Sequence, residues 1–390
     1  MRAFDRSAAS RSLRRPTRRQ LLVSAAGLGL GAVAASLAKP VFAQARTLRI
    51  GATFDNSSVE KANGTGLYAG SSAYFNALNK AGGLNGTRVE LVMADDEFKP
   101  EKAKANALAF AADSVVLAML HPLGTRQASE VSDAVPGMAV VGPNTGTVSL
   151  RKKASPNTFW VRANYDQEID RLIATAAVLG QTRIGIVYSE DPLGQSLLAG
   201  FKASLAKANL QPAVIASTPG TTSMEVEPAA TKVAAANPQI VIVGLAGTAP
   251  AFVKALRKAG DTSSVYGLSI TAGSLASMGD LAHGLGFAIV VPSPFQTKYE
   301  IVRRYQADML ANGNKDFSLP SLEGYIDAAV LTEGLRRAGP SPSRAAVIAG
   351  MERIENYDLG GVKINFGRNN REGNQFVDVA VISSEGRLIS

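Results

Sequence analysis

From Thr47 onward, short apolar runs alternate with longer stretches in which apolar residues recur every three or four positions. The short runs read as strands and the three-to-four spacing reads as helix. Strands are predicted over 48–53, 89–94, 115–120 and 138–141, with helices over 66–80, from Pro100, and over 124–135. Pro100 suits a first helical position, where its missing N–H costs little. The turn chemistry of Ala81-Gly82-Gly83-Leu84-Asn85-Gly86 ends the first helix.

The same rhythm then restarts. Ile169, Leu172, Ile173, Ala176 and Ala177 form a helical stripe. Strands are predicted over 184–188, 240–244, 265–268 and 287–291, and helices over 194–208, 250–259, 299–312 and 323–338. Strands over 362–366 and 377–382 close the chain. Alternating strands and helices imply parallel sheets covered on both faces. With right-handed crossovers, each half becomes a doubly wound α/β unit. A length of 390 residues suits two such domains.

In open α/β sheets the ligand crevice forms from loops at the carboxyl ends of the strands. Here those loops are short and polar: Asp55-Asn56-Ser57-Ser58, Gly124-Thr125, Asn144-Thr145-Gly146-Thr147 and Ala246-Gly247-Thr248. Helix N-termini at such loops favour an anion such as a carboxylate. Each Ser, Thr or Asn taken singly reads as an N-cap. Four such loops at equivalent places point instead to one shared crevice.

The net charge of +9 would suggest a nucleic-acid partner, but its location argues otherwise. The first 45 residues hold eight of the 41 basic groups and one of the 32 acidic ones, so the remainder is nearly neutral. That segment carries Arg18-Arg19 followed by Leu21-Leu22, an Ala/Gly/Leu/Val run to Leu37, and a small-x-small site at Ala43-Gln44-Ala45. It reads as a cleaved twin-arginine export signal over 1–45, which places the mature chain in the periplasm. The absence of cysteine excludes disulfides, thiol nucleophiles and thiolate metal sites. The two histidines, His121 and His283, have no metal ligands at suitable spacing, and no nucleophile elbow occurs. No catalytic site, metal or cofactor is expected. Asp95-Asp96 reads as a turn rather than a carboxylate pair.

The chain from Leu48 to about Asn369 resembles the type I periplasmic solute-binding proteins of branched-chain amino-acid ABC transporters. The resemblance is carried by Asn79-Lys80-Ala81-Gly82-Gly83-Leu84-Asn85-Gly86, Val89-Glu90-Leu91-Val92, Asp95-Asp96, Pro100, His121, Gln127-Ala128-Ser129, Gly142-Pro143-Asn144-Thr145-Gly146-Thr147 and Leu193-Gly194. It implies two Rossmann-like lobes joined by three crossovers, with lobe 1 formed by 46–163 plus 293–356 and lobe 2 by 164–292 plus 357–390. It also implies a solute bound in the cleft by hinge closure, a monomer, and delivery to an ABC permease in the inner membrane. A sensor subunit presenting the solute to a membrane receptor is the alternative.

By position, the resemblance implies that Gly124 and Thr125 hold the ligand carboxylate, and that the loop after the fourth strand contributes a backbone carbonyl and a threonine hydroxyl at Thr145 and Thr147. Ser57 and Gly146 belong to the same polar loops. The first-lobe aromatic of the family falls at Asn63, one second-lobe aromatic at Leu193 and another near Thr248. The acid that meets the substrate ammonium falls near Ser269, where this chain has no carboxylate. A buried ammonium without an acid is costly, so a carboxylate or other polar neutral or anionic solute is expected rather than a standard α-amino acid. Asp166 and Glu168 are acids that could compensate, although both read first as a solvent-facing helix start. Tyr165 and Tyr325 are candidate aromatic walls.

Overall fold

The computed structural model describes residues 47–390, and the export signal expected over 1–45 lies outside the described residues. The first half runs β1 (Thr47–Phe54), α1 (Lys61–Lys80), β2 (Arg88–Asp95), α2 (Pro100–Ala112), β3 (Val116–Leu120), α3 (Thr125–Ala134), β4 (Ala139–Val141), α4 (Val148–Lys153) and β5 (Thr158–Phe159). These strands form a five-stranded, fully parallel sheet in the order β2-β1-β3-β4-β5. All five residues of β3 are buried, as expected for a strand covered on both faces.

The second half runs α5 (Tyr165–Val178), β6 (Ile184–Ser189), α6 (Pro192–Lys207), β7 (Val214–Thr218), α7 (Glu227–Ala236), β8 (Ile240–Gly244), α8 (Ala249–Lys258), β9 (Ser264–Gly267) and β10 (Gly286–Ile289). Two 3₁₀ segments, Ser269–Ser277 and Gly279–Ala282, join β9 to β10. Helices α9 (Glu300–Ala311), α10 (Leu319–Ala338) and α11 (Arg344–Glu352) follow and return to the first sheet, where α10 packs on α1 and α11 reaches β3. The last strands are β11 (Tyr357–Asp358), β12 (Lys363–Ile364), β13 (Asp378–Ile382) and β14 (Leu388–Ile389). The second sheet has seven strands, β14-β13-β10-β9-β8-β6-β7.

Most boundaries fall within a few residues of those predicted, and three differences have physical causes. The strand expected over 362–366 joins neither main sheet. Only Lys363–Ile364 pairs, antiparallel, with Tyr357–Asp358, and Phe366 packs edge-on against Phe159 of the first sheet at 5.3 Å. The second sheet is not wholly parallel, because β13 runs antiparallel to β10 and β14 to β13. Helix α10 begins four residues before the expected Glu323. Ser318 caps it by accepting from Ser321 N–H, and a proline stands in its first turn.

In both sheets the strand order reverses beside the opening strand. β1 lies between β2 and β3, and β6 lies between β7 and β8. These reversals leave crevices at the carboxyl ends of the strands. The first sheet's crevice is backed by a very close helix contact. A Cβ on Gly70 of α1 would lie 1.7 Å from the Ser321 carbonyl oxygen of α10, and one on Gly324 would lie 2.2 Å from that of Leu67. Only glycine allows backbones this near.

Gly70→Ala is therefore expected to lower stability by roughly 1–3 kcal/mol through overpacking, despite alanine's better helix propensity. Gly137→Ala, which opens onto free space, should stay within about 0.5 kcal/mol of the parent. Urea denaturation midpoints at unchanged m check both.

Candidate functional site

The carboxyl-end loops of both sheets enclose one cleft of about 380 Å³. The first sheet contributes Glu60 and Asn63 at the start of α1, Phe98 and Pro100 after β2, the segment from Leu123 to Gln127 after β3, and Asn144 and Thr145 after β4. The second contributes the segment from Glu190 to Leu193 after β6, that from Pro219 to Thr222 after β7, Ala246 after β8, and Ile270 after β9. Tyr165, at the first crossing between the sheets, completes the wall. The lining mixes an apolar surface from Phe98, Leu123, Leu193 and Ile270 with a small set of polar groups, as small-molecule sites do.

Three threonine hydroxyls from two loops meet at the first-sheet wall. Thr125 Oγ1 lies 3.0 Å from Thr145 Oγ1 and 2.8 Å from Thr147 Oγ1, and the last two are 3.0 Å apart. Thr125 opens α3, whose N-cap is Gly124 at φ +100°, and no side chain caps that helix. Its first-turn N–H groups and positive dipole end therefore lie at the cleft wall beside the hydroxyls. Carboxylate chemistry suits this corner.

Of the ten residues expected at the site, Asn63, Gly124, Thr125, Thr145 and Leu193 line the cleft. Thr147 is fully buried behind Thr125 and Thr145, and Gly146 packs against the Tyr165 ring. Ser57 is exposed in a turn whose amides are held by Asp55. Thr248 is fully buried; its hydroxyl is 3.5 Å from the Thr221 carbonyl oxygen. Thr147 and Thr248 occupy N-cap positions, yet neither makes a side-chain capping bond. Tyr325 is not a cleft wall: it lies in the core, edge-on to Tyr74, and donates to Asp308 at 2.6 Å. Asp95 and Asp96 hold turn amides, as expected.

Ser269 lies outside the cleft, in a buried ionic cluster. Glu168 accepts from Ser269 N–H and from its hydroxyl, both at 2.8 Å. Arg162 pairs with Glu168 at 3.0 Å and with Glu323 of α10 at 3.3 Å, and also donates to the Ser269 hydroxyl. The solvent-facing reading of Glu168 is thus overturned, since the residue is fully buried. Burial pushes its carboxyl above the ordinary range, while Arg162 and Ser269 oppose that shift. Arg162 is thus shared between Glu168 and Glu323, one cation facing two carboxylates. Asp166 is half-buried, and its carboxyl is likewise raised by burial.

Glu60 escaped sequence reasoning, because an acid just before a helix reads as a complement to the helix dipole. It is only 2% exposed. Its Oε2 accepts from Asn63 Nδ2 at 2.7 Å, and its Oε1 accepts from Gly247 N–H, across the cleft, at 2.5 Å. Asn63 Nδ2 also reaches the Ile270 carbonyl at 3.3 Å. Burial pushes the Glu60 carboxyl up to about 7, with both hydrogen bonds opposing the shift. The Arg162–Glu323 pair and the Pro219-Gly220-Thr221-Thr222 loop were also missed. The last carried a Pro-Gly turn signal, but the strand before it was not recognised.

Comparison with known proteins agrees with this geometry. A family model described as periplasmic binding protein matches residues 47–387. A solved substrate-binding periplasmic protein from Ralstonia solanacearum is 31% identical, with a TM-score of 0.82 over 88% of this chain and 99% of that one. An extracellular ligand-binding receptor from Verminephrobacter eiseniae is 26% identical, with a TM-score of 0.81 over 88% and 100%. A curated amino acid binding protein from Pseudomonas aeruginosa is 25% identical over 42% of this chain, and the match spans 44% of that protein's length.

The raised carboxyl of Glu60 has a stability consequence. Its folded value of about 7 exceeds the ordinary 4.5, so its contribution is full below about 4.5 and is lost as pH rises through 7. Glu60→Gln keeps the shape without the charge. It offers one acceptor oxygen where Glu60 uses two, so the pH dependence is what the comparison reads: between pH 5 and pH 8 the stability difference should move in the variant's favour by about 2–3 kcal/mol. Urea denaturation across pH checks this.

Proposed function

The chain belongs to the type I periplasmic binding protein family, and on that premise we propose that it is the extracytoplasmic solute-binding component of an ABC importer. The observation that carries this reading is the cleft itself. It lies at the carboxyl ends of two sheets that face each other, and it combines hydroxyls, an uncapped helix start and an apolar wall. These features support a small solute bearing a carboxylate, an amino acid among them. The carboxylate docks on Thr125, Thr145 and the first amides of α3, and the rest of the solute contacts Leu193, Ile270 and Ala246 from the other side.

In this reading the lobes are 46–163 with 293–356, and 164–292 with 357–390. The bonds of Arg371 and Gly373 to Trp160 and the packing of Phe366 on Phe159 favour one change to these bounds: residues 357–373 go with the first lobe, and only 374–390 with the second. The lobes close by rotation about the crossings, because a solute that touches both favours the closed arrangement. The protein is exported, acts as a monomer, binds without turnover, and hands its solute to a permease in the inner membrane.

Thermal unfolding of residues 46–390 with amino acids, aliphatic and aromatic carboxylates, and amides tests the reading. A true ligand at 100 times its Kd should add about 2.7 kcal/mol of stability. Thr145→Ala should weaken carboxylate binding by about 1–3 kcal/mol in calorimetric titration. Thr147→Ala, one layer further back, should cost less. Stabilisation by amides but by no carboxylate would overturn the assignment.

A further inference from the structure

Resting on the carboxylate-binding reading above, we propose that Glu60 is the specificity-determining acid of the cleft, selecting solutes that carry a protonated amine together with their carboxylate. It takes over from the first sheet's side the role left open at Ser269.

The geometry separates Glu60 from the other buried acids that have charge partners. Glu168 and Glu323 share Arg162, and Asp261 has Arg257. Glu60 lines the cleft, yet among the described residues no Lys, Arg or His comes within 4 Å of its carboxylate. Both of its side-chain hydrogen bonds come from neutral donors, the Asn63 amide and the Gly247 N–H. Each oxygen keeps further lone pairs for another donor. The segments packed on it supply no cation either. The loop Leu245-Ala246-Gly247-Thr248 and the segment Ser269-Ile270-Thr271-Ala272-Gly273-Ser274 contain no charged side chain.

The nearest charge is unfavourable: Asp55, at the end of β1, already holds the Ser57, Ser58 and Glu60 amides. Across the cleft stand Glu190 and Asp191, and at its rim the exposed Arg126. A buried carboxylate without a counter-charge is costly, and a ligand ammonium docked beside it supplies that charge. The helix α3 corner and Glu60 then form two poles of opposite preference within one cleft. A solute carrying both charges satisfies both poles, whereas a simple carboxylate leaves Glu60 uncompensated. The same carboxylate bonds to Gly247 of the opposite wall, so an amine seated there touches both sides of the cleft.

Matched pairs test this in the protein from residue 46: L-leucine with isocaproate, L-phenylalanine with hydrocinnamate, and γ-aminobutyrate with butyrate. Affinities are measured by calorimetry at pH 7.5 in the parent and in Glu60→Gln. At least one amine-bearing member should bind the parent at least tenfold more tightly than its deaminated partner. That preference should collapse to within about threefold in the variant, while the affinity for the deaminated partner changes little. Should the variant fail to fold, the parent's pH profile carries the test. The preference for the amine should fall severalfold between pH 8 and pH 5.5 as Glu60 takes up its proton, and a flat profile would overturn the proposal. Carboxylates that bind without amine preference, or a preference that survives Glu60→Gln, would remove Glu60 from this role and leave the carboxylate reading standing. If no member of any pair binds, the carboxylate reading itself falls, and the role of Glu60 with it.

Discussion

Arg162 is buried where the chain first crosses from one sheet to the other, and a buried guanidinium must be answered on several sides at once. Burial would lower its pKa, but Glu323, Tyr165 and Glu168 more than reverse this and keep it charged. Its partners come from separate parts of the fold: Glu168 from α5, Ser269 from the segment after β9, and Glu323 from α10. Its own carbonyl accepts from Arg151 at 3.1 Å, and Arg151 pairs with Glu372 on the returning chain. A buried ion network of this kind adds little net stability over an apolar core, but it loses heavily when one partner is removed. Its contribution is to position. Glu323 also holds the Asn144 side chain, so the crossing is tied directly to the cleft wall. Asp327, one helical turn beyond Glu323, is kept well above the usual carboxylate range by burial and by Glu323.

The fold was legible wherever burial on both faces leaves an unbroken apolar run. The sequences of β3, β6 and β8 announce themselves in this way. Strand β7 does not, because Val214–Thr218 alternates between buried and partly exposed positions and carries only small side chains after Ile215. Strand β5 is two residues long, too short for any periodicity. The start of α10 was misplaced for a different reason. Its cap is a serine paired with another serine three residues on, and seventeen consecutive helical residues are buried, including Glu323, Asp327 and Glu333. A helix buried all round shows no polar face from which its limits can be read.

The candidate site was legible in its loops and opaque in its charges. Thr125 and Thr145 could be found because short polar loops at strand ends mark the crevice in any doubly wound sheet. The same logic also gathered Ser57, Thr147 and Thr248. Strand-end position does not tell whether a hydroxyl faces the cleft, the solvent or the layer behind. Charge proved harder still. Glu60, Arg162, Glu168 and Glu323 each stand near a helix start or a crossing, where charged residues are ordinary in solvent. What distinguishes them is burial together with the presence or absence of a counter-charge, and apart from the local Arg162–Glu168 pair both depend on segments a hundred or more residues away.

That distinction bears on closure. The two walls of the cleft meet through hydrogen bonds from Gly247 N–H to Glu60 and from Asn63 to the Ile270 carbonyl. A Cβ on Gly273 would collide with the Asn63 side chain, so the walls fit closely at this point. The amide–carbonyl bond contributes about 0.5–1.5 kcal/mol net and the one to an ionised Glu60 about 1.5–3 kcal/mol, and the uncompensated charge of that carboxylate works against both. Such a contact can bring the walls together but holds them weakly. A solute shifts the balance only by the difference in its affinity for the open and closed arrangements. In the proposed reading the carboxylate corner at α3 belongs to one wall, so a carboxylate docked there alone would favour neither arrangement. In that reading the differential term comes from contacts that need both walls, at Leu193, Ile270 and the Glu60–Gly247 bridge. The two ends of such a solute would then act differently: the carboxylate end adds affinity alone, whereas the amine end, touching both walls, adds affinity and drives closure together.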